Sequence, residues 1–175
     1  GDRSDRFGYW PARFALAAER GDGPVLVPDA ATQSTQTIDV RDLARWLVDS
    51  GRRRTAGTFN VVGERTPLGD VLDLAREAAG YRGEIVTADP AWLQEQGVGY
   101  WMGENSLPLW LPGADYAGHS ARSDAAAVAA GLVRRPLAGT VVDSLAWERE
   151  LGLDRDRRAG LGRDRELALV DMRAA

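Results

Sequence analysis

The stretch Thr35–Val48, T-Q-T-I-D-V-R-D-L-A-R-W-L-V, changes periodicity partway through, and that change constrains the fold more than any other feature of the chain. Thr35, Thr37, Ile38 and Val40 favour extended backbone, whereas Leu43, Trp46 and Leu47 recur at i, i+3 and i+4 on one helical face. A strand therefore runs straight into a helix. Asp39 stands where the helix cap belongs, and Asp42, three residues on, is spaced to reach back to the cap amide as in a capping box. Both carboxylates read as caps, with substrate contact as the alternative.

Turn and cap residues order the rest. Gly1 to Gly8 reads as a loop, and Tyr9 to Arg20 as a helix with Trp10 and Phe14 on its inner face and Pro11 in its first turn. Val25–Val27, bracketed by Pro24 and Pro28, reads as an edge strand, and Thr58–Val62 as a buried one. A helix capped by Thr66 and opened by Pro67 carries Leu68, Val71, Leu72 and Ala75, stops at Gly80 and precedes a strand at Glu84–Thr87. Beyond this the alternation lapses. Pro90–Gln96 reads as a short helix, and residues 97–112 as an apolar loop that something must cover. Ser123 caps an alanine-rich helix closed by Gly131, and Pro136 opens a longer one with Leu137, Val141, Leu145 and Leu151 on its face. Asp154–Arg158 reads as an exposed charged turn, and a last helix starts near Arg163. The pattern predicts a single domain over residues 1–175: a small mixed α/β fold with a helix-rich C-terminal half.

Composition narrows the chemistry. With 44% apolar residues the chain can bury a real core. All 22 basic residues are arginine and there is no cysteine, which removes thiolate catalysis, disulfides, Schiff bases and any Tyr-x-x-x-Lys pair. His119 is the single histidine, so no multi-histidine metal site can form. The net charge of −4 leaves no basic face for nucleic acid, and Arg52–Arg54 reads as a solvated helix end, with an anion site as the alternative. No long apolar run or leader pattern occurs, so a soluble cytoplasmic protein is expected, engaging neither nucleic acid nor membrane.

I-D-V-R-D-L-A at Ile38–Ala44 resembles the strand-to-helix signature of the extended short-chain dehydrogenase/reductases, the NAD-dependent epimerase/dehydratase family. G-D-R-S-D-R-F-G-Y-W-P at Gly1–Pro11, G-T-F-N-V-V-G at Gly57–Gly63, P-L-G-D-V-L at Pro67–Leu72 and A-A-G-L-V-R-R-P-L at Ala129–Leu137 appear in the family's order, so the resemblance covers most of the chain. It implies an α/β substrate-binding lobe lacking the family's nucleotide-binding half, a piece of a longer enzyme. NAD or NADP would serve the complete enzyme, and none would be bound by this chain alone. The family's glycine-rich turn and Tyr-Lys pair do not occur here, and G-V-G-Y-W-M-G at Gly97–Gly103 follows a helix and reads as a loop. No catalytic residue is expected.

Family members that act on nucleotide sugars carry an arginine at the position aligned with Thr35. Its absence points to a neutral or modestly polar carbonyl or alcohol substrate, although Arg122, Arg134 or Arg135 could substitute. The resemblance places the substrate against Arg6, Tyr9, Trp10, Trp101 and Met102, with the amide of Gln36 nearby. Large apolar faces with a few polar anchors suit a pocket. Trp10, on a helical stripe, also fits a core role, whereas Trp101 lies in a Gly-flanked loop. A competing reading is a non-catalytic module that holds a partner through Tyr100–Leu111. A hydrolase lacks support, since no G-x-S-x-G occurs and His119 beside Ser120 makes no triad. His119 reads as a packed or surface imidazole. An exposed apolar face, left where the absent half would pack, predicts homo-oligomerisation or association.

Overall fold

The computed structural model describes residues 2–174. Helix α1 (Arg6–Arg20) leads to β1 (Val25–Pro28), β2 (Ser34–Gln36), α2 (Val40–Arg53), β3 (Arg65–Pro67), α3 (Leu68–Ala79) and β4 (Ile85–Ala88). The short α4 (Pro90–Glu95) precedes β5 (Gly99–Trp101) and β6 (Ser106–Pro108), and then α5 (Ala125–Ala129), α6 (Leu137–Leu151) and α7 (Arg163–Ala174) follow. The strands pair as three two-stranded sheets among the described residues: parallel β1–β4, antiparallel β2–β3 and parallel β5–β6. This is the small mixed α/β lobe, helix-rich in its second half, that the sequence predicts.

The main core forms where α1 meets α3 and α6. Tyr9, Trp10 and Phe14 are at most 1% exposed and pack among Leu68, Val71 and Ala75 of α3 and Val141 and Leu145 of α6. Each such ring contributes on the order of 2–3 kcal/mol by leaving water. Helix α1 starts earlier than its apolar pattern suggests. The Asp2 carboxylate accepts from the backbone N–H of Arg6 at 3.1 Å and of Phe7 at 3.0 Å, satisfying amides that a helix start leaves open. Pro11 consequently lies inside the helix and not in its first turn, where it denies the Phe7 carbonyl its usual donor.

All four residues of β1 are buried, despite the flanking prolines. One edge pairs with β4, from Val25 with Ile85 to Pro28 with Ala88. At the other, Leu26 N–H donates to the Glu166 carboxylate at 2.9 Å, so a side chain of α7 covers an otherwise open edge. Glu166 is fully buried and is held by Arg163 at 2.7 Å and Arg13 at 3.3 Å. A carboxylate survives there because two cations and an amide surround it. A similar network forms at Glu148 of α6, 1% exposed, which meets Arg157 at 2.5 Å and Arg155 at 3.0 Å. Arg155 continues to Asp5 at 2.5 Å, so the charged stretch 154–158 is exposed as expected at Asp154, Asp156 and Arg158 but turns Arg155 and Arg157 back onto Glu148 of α6. Gly8 makes the room, since a Cβ there would lie 2.1 Å from the Glu148 Oε1.

Several local expectations are corrected. Thr58–Val62 joins no ladder; Asn60 donates to the Ser123 carbonyl at 3.1 Å, and Phe59 meets Trp46 edge-on with ring centroids 5.3 Å apart. Trp46, Ala127 and Leu132 form a second, small cluster, and α2 therefore leaves Val40, Leu47 and Val48 exposed. Asp39 caps α2 by accepting from Arg41 N–H at 2.9 Å, but Asp42 completes no capping box, because its carboxylate is taken by Arg135. Helix α3 begins after Pro67, with no side-chain cap from Thr66, and Leu151 lies exposed at the end of α6. Residues 97–112 cover themselves by burying Leu107 and Trp110 completely in the main core. No helix of the described residues is long and apolar enough to cross a membrane.

Candidate functional site

The start of α1, the β2–α2 junction, β5 and α6 converge on an open cavity of about 780 Å³, a volume suited to a small molecule. The junction is pinned by a close approach: a Cβ at Gly63 would lie 1.9 Å from the Thr37 carbonyl, so only glycine lets the two backbones touch. Gln36 braces the same corner. Its amide nitrogen donates to the carbonyls of Gly63 at 3.2 Å and Arg122 at 2.9 Å, and its oxygen accepts from Arg122 N–H at 3.0 Å.

Trp101 enters the cavity from the end of β5, in a strained stretch of backbone. It has φ 68°, Leu109 on the same wall has φ 66°, and Asn105 between them has φ 54°. Each left-handed non-glycine residue costs roughly 1–3 kcal/mol and persists only where its surroundings fix it. Here Trp101 N–H donates to the carbonyl of the buried Trp110 at 2.9 Å. The stretch is tied to α1 because Trp10 Nε1 donates to the Pro108 carbonyl at 2.8 Å. These hydrogen bonds hold the strained backbone in place, and the Trp101 ring lies between two cavity residues. The Arg6 guanidinium carbon lies 4.9 Å from its centroid, and the exposed His119 ring meets it edge-on at 4.6 Å.

The opposite wall joins α2 to α6. Asp39 accepts from Arg41 Nε at 2.8 Å, Arg41 Nη2 at 2.6 Å and the Thr140 hydroxyl at 2.9 Å, while Arg41 Nη2 also meets Asp143 at 2.6 Å. The Arg41 fork, helped by its backbone amide and by Thr140 and opposed by burial, holds the Asp39 carboxyl far below the usual carboxylate range. Asp39 is thus an ionised structural anchor at neutral pH, with no proton to give. At Asp2, burial pushes the carboxyl up, but the Ser4 hydroxyl and the Phe7 and Ser4 amides outweigh it and the net shift is downward.

Of the six residues expected to meet substrate, Arg6, Gln36 and Trp101 line the cavity. Tyr9 and Trp10 do not reach it; at 1% and 0% exposure they belong to the core, because α1 turns that face inward. Met102, just past the end of β5, is exposed and lies outside the lining. Sequence reasoning missed the contribution of α6. Thr140, Asp143, Ser144 and Trp147 lie at i, i+3, i+4 and i+7, a second face overlooked beside the leucine stripe. Neither Arg134 nor Arg135 presents a free guanidinium: Arg134 is held by Asp124 and Glu64, Arg135 by Asp42.

A dinucleotide's pyrophosphate needs open amides at a strand-to-helix turn. The turns after β1 and β4, the second of which opens α4, already carry carboxylates. Asp89 accepts from Ala91 N–H at 2.8 Å and Trp92 N–H at 3.1 Å, and Asp29 accepts from Ala31 N–H at 3.2 Å. These residues do not fit that group. Among the described residues no three His, Asp or Glu side chains gather where they could hold a metal ion.

The chain matches no protein-family model and no curated protein. Among solved structures it is similar to a provisionally named epimerase from Burkholderia cenocepacia J2315, with a TM-score of 0.51 and 19% sequence identity over 86% of this chain and 43% of the other. The likeness is one of fold, and the chain spans less than half the length of that protein.

Proposed function

We propose that this chain is the substrate-binding part of an NAD(P)-dependent epimerase or oxidoreductase, and that its cavity receives a carbonyl or alcohol. The observation that carries the reading is the cavity wall itself: a tryptophan strained into place at φ 68°, facing hydroxyl groups on α6. Thr140 gives its proton to Asp39 and so meets a ligand as an acceptor, suited to an alcohol O–H. Ser144 can donate to a carbonyl oxygen, and Phe7, Trp101 and Trp147 exclude water from the bound face. Similarity to an epimerase fold supports the same class. Nicotinamide would supply hydride transfer in the complete enzyme, while this chain would select and orient the substrate and bind neither NAD nor NADP by itself.

Benzyl alcohol and acetophenone, titrated separately, test the site through the indole N–H resonances. Trp101 and Trp147 are expected to shift together while Trp10, buried in the core, stays still. No response at either cavity indole, or micromolar affinity for a dinucleotide, overturns the reading.

A further inference from the structure

We infer that the cavity selects substrates bearing a single carboxylate, and that Arg6 is the residue that reads it. The inference rests on the cavity being the ligand site proposed above, and it follows from an audit of its charges. Three carboxylates and two guanidinium groups line the cavity: Asp2, Asp39 and Asp143 against Arg6 and Arg41. Four of the five are satisfied within the chain. Asp39 and Asp143 share Arg41, at 2.6 Å each. Asp2 accepts from the Ser4 hydroxyl at 2.6 Å and from the first amides of α1.

Arg6 is the exception. Among the described residues no carboxylate lies within 4.0 Å of its guanidinium, although its charge helps to lower the Asp2 carboxyl, and its single side-chain hydrogen bond runs from Nε to Ser4 Oγ at 2.9 Å. Both terminal nitrogens stay open. Ser4 is itself fixed on Asp2, and the guanidinium lies over the Trp101 ring, so position and plane are set before any ligand arrives. A planar fork held in advance matches a carboxylate in two parallel hydrogen bonds, and little ordering cost remains.

The charges on the walls also limit the charge of the ligand. Carboxylates outnumber guanidinium groups on the walls by three to two, so a monoanion is accepted only where it pairs with Arg6, and a dianion such as a phosphate ester brings a second negative charge that no further open cation on the walls meets. With the apolar rings of Phe7 and Trp147 for its body and the α6 hydroxyls for its oxygen, the fitting substrate is a small hydroxy or oxo monocarboxylic acid.

Benzoate and benzyl alcohol share a skeleton and differ in the anion, and phenyl phosphate supplies the dianion. At low salt the native chain should bind benzoate about tenfold more tightly than the alcohol, and added salt should shrink the difference. Arg6→Gln should bring the benzoate-to-alcohol affinity ratio, read in the same variant, within about twofold, and Arg6→Lys should keep part of the preference. Equal binding of benzoate and the alcohol to the native chain overturns the inference and leaves the cavity reading standing. So does tighter binding of phenyl phosphate, or a benzoate preference that survives in Arg6→Gln. Binding of none of the three overturns both.

Discussion

Asp42 in α2 and Arg135, 93 positions downstream, form a three-point fork: Asp42 Oδ2 accepts from the Arg135 backbone N–H at 2.8 Å, and Oδ1 from Nη2 at 2.8 Å and Nε at 3.0 Å. The fork fixes α2 against the entry to α6, and one turn further along Asp39 and Thr140 close the same gap at the cavity. Asp42→Asn keeps the shape and removes the charge. Its melting temperature should fall by about 5 °C, and ligand affinity should fall with it. An unchanged melt would mean that other contacts fix the two helices.

Acid should loosen the fold at the same places. Arg135 beside Asp42, Arg155 beside Asp5, Arg163 beside Asp22 and Arg41 beside Asp39 hold all four carboxyls below their ordinary range. A depressed folded-state value adds stability that is present above the unfolded value and disappears as pH falls through the folded one. Melting temperature should therefore drop as pH is lowered below about 4, with little of this loss above it. Melts across an acid series check the sign, and a rise in stability on acidification would contradict it.

Two glycine-to-alanine substitutions should act in opposite directions. At Gly8 an added Cβ would meet Glu148 Oε1 at 2.1 Å and Cδ at 2.8 Å, against a side chain held by two arginines. Gly8→Ala should cost about 2 kcal/mol. Gly51, near the end of α2, has nothing within 4 Å of the added atom, so Gly51→Ala should gain about 0.5 kcal/mol from the better helix former. Urea unfolding of both variants decides the matter; the same sign for both would remove the close packing of α1 on Glu148 as its explanation.

Trp101 offers a test of backbone strain. Trp101→Ala and Trp101→Gly both delete the ring and should weaken binding of benzyl alcohol equally. Only glycine relaxes at φ 68°, so Trp101→Gly should be the more stable variant by about 1 kcal/mol. If alanine is equal or better, the left-handed turn carries no strain worth the name.

Val40, Leu47 and Val48 lie at i, i+7 and i+8 on α2, each more than half exposed. Apolar faces of this kind are usually covered by association. Light scattering should show a concentration-dependent rise above the 18.9 kDa of the single chain, reversed by Leu47→Glu. A monomer at every concentration would argue that the face is tolerated in water.

Elements whose signals are local were legible. The change from strand to helix falls within Thr35–Val48, although the strand ends at Gln36 and residues 37–39 separate it from α2; the Asp39 cap, the Gly80 stop and the α3 stripe appear where spacing and turn chemistry place them. What stayed hidden depends on distant partners. Nothing near Asp42 announces Arg135, and nothing in the charged run 154–158 announces the carboxylate of Glu148 to which it folds. Thr58–Val62 has strand residues but no strand beside it, and propensity alone cannot supply one. In the cavity, the Gly-flanked loop marked Trp101, whereas the polar face of α6 went unread because Trp147 lies on a helix already assigned an inner face.

Glu148 and Glu166, enclosed by arginines inside the lobe, also set how the fold responds to heat. Withdrawing a charge from water becomes less costly as temperature rises, because the hydration of ions weakens on warming, while the gain per unit of buried apolar surface levels off. At low temperature the leucines and aromatic rings dominate the balance. On warming, the share of the balance carried by the two arginine cages at α6 and α7 grows.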